Sequence, residues 1–223
     1  TAKLSGLAGF VATLGAVYMA LFANEATASC STRDALRNNT SLDGCRSALS
    51  HPSQILSAAV PVWKTIGMGT FASNVAIRNA FRSADYGLGD SAERMLAQLN
   101  FNLSMTKTNV DLVALSLTEL GFETQGAPLA AIYSRAQKLG FELAPAEVGP
   151  QLRLQYFDQP VGEFLDIGMA PIKPQEGEPG IFIVANGGAG LVLIGRNAGS
   201  DAEAHAPSRF VFVRPPIFAT GQK

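Results

Sequence analysis

The sequence predicts an α+β protein: a single transmembrane helix at the N-terminus, a helical neck, then a mainly antiparallel sheet with one or two packed helices. Three observations carry this. From Leu4 to Phe22 no side chain is charged, and about 19 residues at about 1.5 Å each cross a hydrocarbon core of about 30 Å. Residues 54–99 place apolar side chains at near-helical spacing. From Asn109 onward, short β-prone runs are separated by turn-forming residues, with one helical stretch among them. The implied division is 1–28, transmembrane helix or signal segment; 29–62, neck; 63–223, outer α+β domain.

The leading segment has two readings. Ala26-Thr27-Ala28 is a small-x-small triplet of the kind signal peptidases cut, which leaves Ser29 as a mature N-terminus. The apolar run is longer than an ordinary signal core, which favours a retained anchor. Lys3, on the short N-terminal side, favours keeping that end cytoplasmic and sending the bulk of the chain outward, to the periplasmic side of a bacterial inner membrane. Ala8, Ala12, Ala16 and Ala20 recur every fourth residue, with Ser5, Gly9 and Thr13 on the adjoining row. Small residues at that spacing let two helix backbones approach closely in lipid, so this face fits a helix of another membrane subunit or of a second copy.

Beyond the anchor, Cys30 and Cys45 are the chain's two cysteines. In an oxidising compartment they would close a loop of about 15 residues, a constraint of about 3 kcal/mol. Lipidation of Cys30 would need a Leu-like residue where Thr27 stands. A metal site lacks a second Cys pair, with His51 the one histidine nearby. The glycosylation triplets at Asn38, Asn39 and Asn102 matter only in a eukaryotic secretory route.

The elements follow in order. Residues 31–50 are polar and rich in turn formers. Gln54 to Ile66 has near-helical apolar spacing interrupted by Pro61, and Gly67 to Thr70 reads as a turn. A helix through Asn74, Ile77 and Phe81 can be capped by Thr70 or Ser73. A second helix follows Gly89, with Asp90 as cap and Glu93 reaching back. Val110 to Leu117 is a β-prone run, and Pro128 to Leu139 is a helix stopped at Gly140. Gln151 to Phe157 alternates polar and apolar, predicting a strand that hairpins with Glu163 to Ile172. Ile181–Ala185 and Leu191–Gly195 pair across Asn186–Gly190, and Arg209–Val213 is a final strand.

Trp63-Lys64-Thr65-Ile66 with Gly69-Thr70, the stretch Ala144 to Tyr156 (APAEVGPQLRLQY) and Arg209 to Val213 (RFVFV) together resemble a group of small bacterial proteins of unknown function. The resemblance spans about Trp63 to Arg214. It implies one folded module and no particular chemistry.

Composition excludes more than it assigns. Charged residues are 16% of the chain, against roughly 25% in typical soluble domains, and the net charge is −1 with no basic stripe, which argues against nucleic acid. His51 and His205 stand outside any catalytic motif, and there is no Gly-x-Ser-x-Gly elbow. Asn186 to Gly190 lies between strands and lacks the Lys and following helix of a phosphate loop. The least ordinary polar cluster is Glu147, Arg153, Gln155 and Glu163, with Gln151 and Asp158 beside it. On the strand reading it offers an Arg–carboxylate pair or two carboxylates for acid–base work; the plainer account is a solvated face with one structural ion pair. The expectation is a membrane-anchored accessory subunit, neither an enzyme nor a cofactor or metal protein, working by protein–protein contact. The alternative is an exported soluble binding protein or enzyme released after Ala28.

Overall fold

The computed structural model describes residues 57, 59–98, 101–123, 126–175 and 177–216. The apolar leader, its row of small residues from Ser5 to Ala20, and Cys30 and Cys45 lie outside them. Among the described residues no helix is long and apolar enough to cross a membrane.

Lys64–Met68 forms β1, and Asn74–Ser83 forms α1, capped by Ser73, whose hydroxyl accepts from the Ala76 amide at 3.2 Å. Thr70, the other candidate cap, is engaged elsewhere. Gly87–Leu88 is β2 and Asp90–Leu96 is α2. Gly89 holds the cap position of α2 without a side-chain bond, so Asp90 and Glu93 act only as first-turn charges beside the helix dipole. Thr108–Ser116 is β3, Gly126–Pro128 is β4, Leu129–Lys138 is α3 and Val148–Gln155 is α4. Phe164–Ile167, Gly180–Asn186, Leu191–Asn197, Glu203–His205 and Arg209–Val213 complete the order as β5 to β9.

Further expectations are corrected, among them the Gly67–Thr70 turn, since Gly67 and Met68 belong to β1. Trp63 to Ile66 does not continue a helix: beyond Pro61 the chain extends, and Thr65 and Ile66, both β-branched, lie in β1, which pairs with β3 from Lys64↔Leu112 to Met68↔Thr108. Gln151 to Phe157 is not a strand, and no hairpin forms with Glu163 to Ile172. The same letters satisfy a period of 3.6, since Glu147, Gln151 and Gln155 fall at i, i+4 and i+8, and Pro150 sits in the first helical turn, where its missing N–H costs nothing. The described helices number four rather than one or two.

The seven-stranded sheet runs β1-β3-β9-β5-β6-β7-β2, antiparallel except at β5/β9 and β7/β2, with β4 and β8 paired separately. The expected hairpin forms as β6/β7 across Gly187–Gly190. Helix α4 touches β1 and also β6 and β7. In a flat sheet β1 and β6 would stand about 19 Å apart, roughly twice a helix width, so the sheet must curl around α4 as a half-barrel. Residues paired across a ladder share a face. Leu112, Val211, Leu165, Val184 and Phe182 therefore face α4, whose Gly149 meets the Phe182 side chain. Phe210 and Phe212 face the other way, where Tyr133 of α3 stands edge-on to both, ring centroids 6.5 and 6.2 Å apart.

Candidate functional site

Helix α4 divides the sequence-predicted cluster between two flanks. On one, Glu147 is fully buried. Its Oε1 accepts from the Gly69 amide at 2.9 Å and from Gln151 Nε2 at 2.8 Å, while Oε2 accepts from the Ser104 amide at 2.7 Å. Gln151 also meets the Thr70 hydroxyl. Gln155 brackets Gly67, its Nε2 donating to the Gly67 carbonyl at 2.9 Å and its Oε1 accepting from the Gly67 amide at 2.8 Å. A side-chain amide thus stands where a further strand would pair, which blunts the free edge of β1. Burial raises the Glu147 pKa, but the bonds from Ser104, Gln151 and Gly69 outweigh it and hold the carboxyl below its ordinary value.

On the other flank Arg153 is fully buried and bonds only neutral acceptors: Gln159 Oε1, the Tyr156 carbonyl and, at 3.2 Å, the Ala185 carbonyl. Its guanidinium lies 5.5 Å from the Tyr86 ring centroid. Burial lowers its pKa, opposed by Tyr86, Tyr156 and Glu163. The expected Arg153–carboxylate pair does not form. Glu163 instead accepts from the Tyr156 hydroxyl at 2.9 Å and pairs with Arg209 at 3.6 Å. Burial, with the bond to Glu163 adding to it, pushes the Tyr156 phenol up to about 12.

Glu163 and Arg209 also line a cavity of about 350 Å³ with Gly162, Phe164, Asp166, Pro207 and Ser208. Asp166 is buried beneath it and held by Arg196 at 2.9 Å, with burial raising its pKa against the pull of that arginine. Phe164, which lines the cavity, is 48% exposed, and Val161 (76%) and Phe157 (72%) stand in solvent in the segment between α4 and β5. That segment is tied to the β6/β7 turn: the Gly162 amide donates to the Asn186 carbonyl, and Val161 and Phe164 lie next to Gly188 and Gly187.

Chemically, Glu147 has both oxygens committed and is stabilised as the anion, the opposite of a poised general acid. Glu147, Gln151 and Gln155 act as one polar rail, while Arg153 and Glu163 belong to a second network. Sequence reasoning missed Tyr156, Gln159, Asp166, Arg196 and Arg209. Asp166 alone left a signal, as a carboxylate inside the apolar run Phe164–Ile167. Among the described residues no group of three or more His, Cys, Asp or Glu could hold a metal ion. No protein-family model matches the chain, and no curated protein or solved structure matches it either.

Proposed function

We propose that this chain is an accessory, structural subunit of a larger membrane assembly. The 4–22 segment serves as its bilayer anchor, and the α+β domain works by protein–protein contact on the periplasmic side. The observation that carries this reading is the exposed apolar knob of Val161 and Phe164, which lie beside Gly188 and Gly187 of the β6/β7 turn. Exposed apolar side chains grouped side by side are one mark of a contact surface. The low charge fraction and the small-residue row from Ser5 to Ala20 support the same reading, as does the commitment of Glu147 to backbone amides, which leaves it no free oxygen for catalysis. The resemblance over Trp63 to Arg214 supports treating that stretch as one module.

On the knob, Val161→Asp should abolish co-purification of partners while leaving the unfolding temperature within about 2 °C of wild type, because that side chain is largely solvated. Unchanged co-purification after that change, and after Ala12→Leu with Ala16→Leu, removes the reading. The alternative of an exported soluble protein predicts a mature chain that starts at Ser29. Intact mass of material from membranes separates the two.

A further inference from the structure

The second cavity, of about 310 Å³, lies between α1, β2 and α2 and is lined by Arg78, Phe81, Arg82, Asp85, Tyr86, Leu88 and Glu93. Arg78 and Arg82, four residues apart, lie on one face of α1 and converge there. Neither has a carboxylate within 4.0 Å among the described residues. Among the described residues Arg82 bonds only Asn79 Oδ1, at 3.2 Å. Arg78 Nε is shut off from solvent with no hydrogen-bond partner, and no bond from the Tyr86 hydroxyl to a described residue is present. Behind Tyr86 stands Arg153, whose buried charge meets neutral acceptors only among the described residues.

A buried N–H without an acceptor costs about 1–3 kcal/mol, more for a charged group, so native proteins seldom leave one. Here Arg78 Nε is such a group, and beside it the exposed Arg82 and the part-buried Tyr86 hydroxyl find no acceptor in the cavity among the described residues, while the Arg153 guanidinium stands behind the Tyr86 ring. Asp85 and Glu93 are exposed and reach neither arginine, so they form a rim that accepts hydrogen bonds from hydroxyl or amine groups. We propose that this cavity binds a phosphate group carried by a small polar moiety, with Arg78 and Arg82 holding the phosphate oxygens, the Tyr86 hydroxyl donating a further bond, and Asp85 and Glu93 meeting the hydroxyls. Guanidinium forks suit phosphate oxygens, and the volume falls within the range of small-ligand sites. The group has two sources, a soluble phosphomonoester or a phospholipid headgroup.

The test titrates the full chain in non-ionic detergent by calorimetry with glycerol 3-phosphate, inorganic phosphate, acetate and a short-chain phosphatidylglycerol below its micelle concentration. Saturable binding of either phosphate ester is expected. Arg78→Gln and Arg82→Gln should each weaken it about tenfold or more, and Tyr86→Phe about threefold, while Arg94→Gln, exposed on α2 outside the cavity, leaves it unchanged. Arg82→Gln, at an exposed position, keeps the test decisive if Arg78→Gln folds poorly. Glycerol 3-phosphate binding assigns the soluble source, and binding of the lipid alone assigns the headgroup. The proposal is overturned by no saturation up to about 10 mM, by acetate competing as well as phosphate, by equal loss in Arg94→Gln, or by retained affinity in the Arg78→Gln, Arg82→Gln double variant.

Discussion

Glu147 shows how one residue can fix a local structure without touching substrate. Its carboxylate joins the Gly69 turn, the Ser104 segment and the first turn of α4. Glu147→Gln keeps the shape but sets an amide N–H₂ against backbone N–H groups, and should cost about 2–4 kcal/mol in chemical denaturation at pH 7. Because the folded carboxyl sits below its ordinary 4.5, its contribution is complete above that value and is lost as pH falls through the lower, folded one. The stability gap between wild type and variant should therefore narrow below about pH 4.5. Asp166, raised by burial against Arg196, acts in the opposite sense, which is why the difference between the two proteins is the readout. A gap constant down to pH 2.5 would contradict this account of Glu147. That Glu147 belongs to a polar cluster with Gln151, Arg153 and Gln155 was legible in the sequence; that a helix sends Glu147 and Arg153 to different flanks was not, because the strand period read there does not apply.

At the scale of elements, α4 is governed by close approach to the sheet. Gly149→Ala would gain about 1 kcal/mol of helix propensity, yet its Cβ would stand 2.8–2.9 Å from atoms of the Phe182 side chain. Overpacking of that kind costs about 1–3 kcal/mol, so the variant should be net destabilised. Gly67→Ala in β1 meets nothing nearer than Gln155 Oε1 at 3.7 Å and should be neutral or slightly stabilising; urea midpoints for the two variants test the contrast. Gln155→Leu strips the cover from the edge of β1 and should lose about 1–2 kcal/mol and show concentration-dependent self-association in sedimentation. The β6/β7 hairpin, α3 and β9 were readable because their periodicity and turn residues admit one interpretation. Gln151 to Phe157 admits two, and the sheet around it chose the helix.

On the scale of the whole domain, α4 joins strands that are distant in sheet order. Leu152, fully buried on that helix, packs at the centre of the curl, and Leu152→Ala should cost about 2–5 kcal/mol. Because α4 contacts both β1 and β6, hydrogen exchange of amides in the two strands should accelerate together; loss confined to one strand would show that the helix does not couple them. The sequence by itself determined the class, the order of most elements, the apolar leader and the low charge, because those depend on local composition and on periods that neighbouring residues share. Tertiary structure decided the identity of α4, the separation of Glu147 from Arg153, the apolar knob beside the β6/β7 turn and the two cavities. The first two rest on which surfaces meet across β1 and β6, roughly a hundred and twenty residues apart in the chain, and all of them on contacts between segments distant in sequence, which no local pattern encodes.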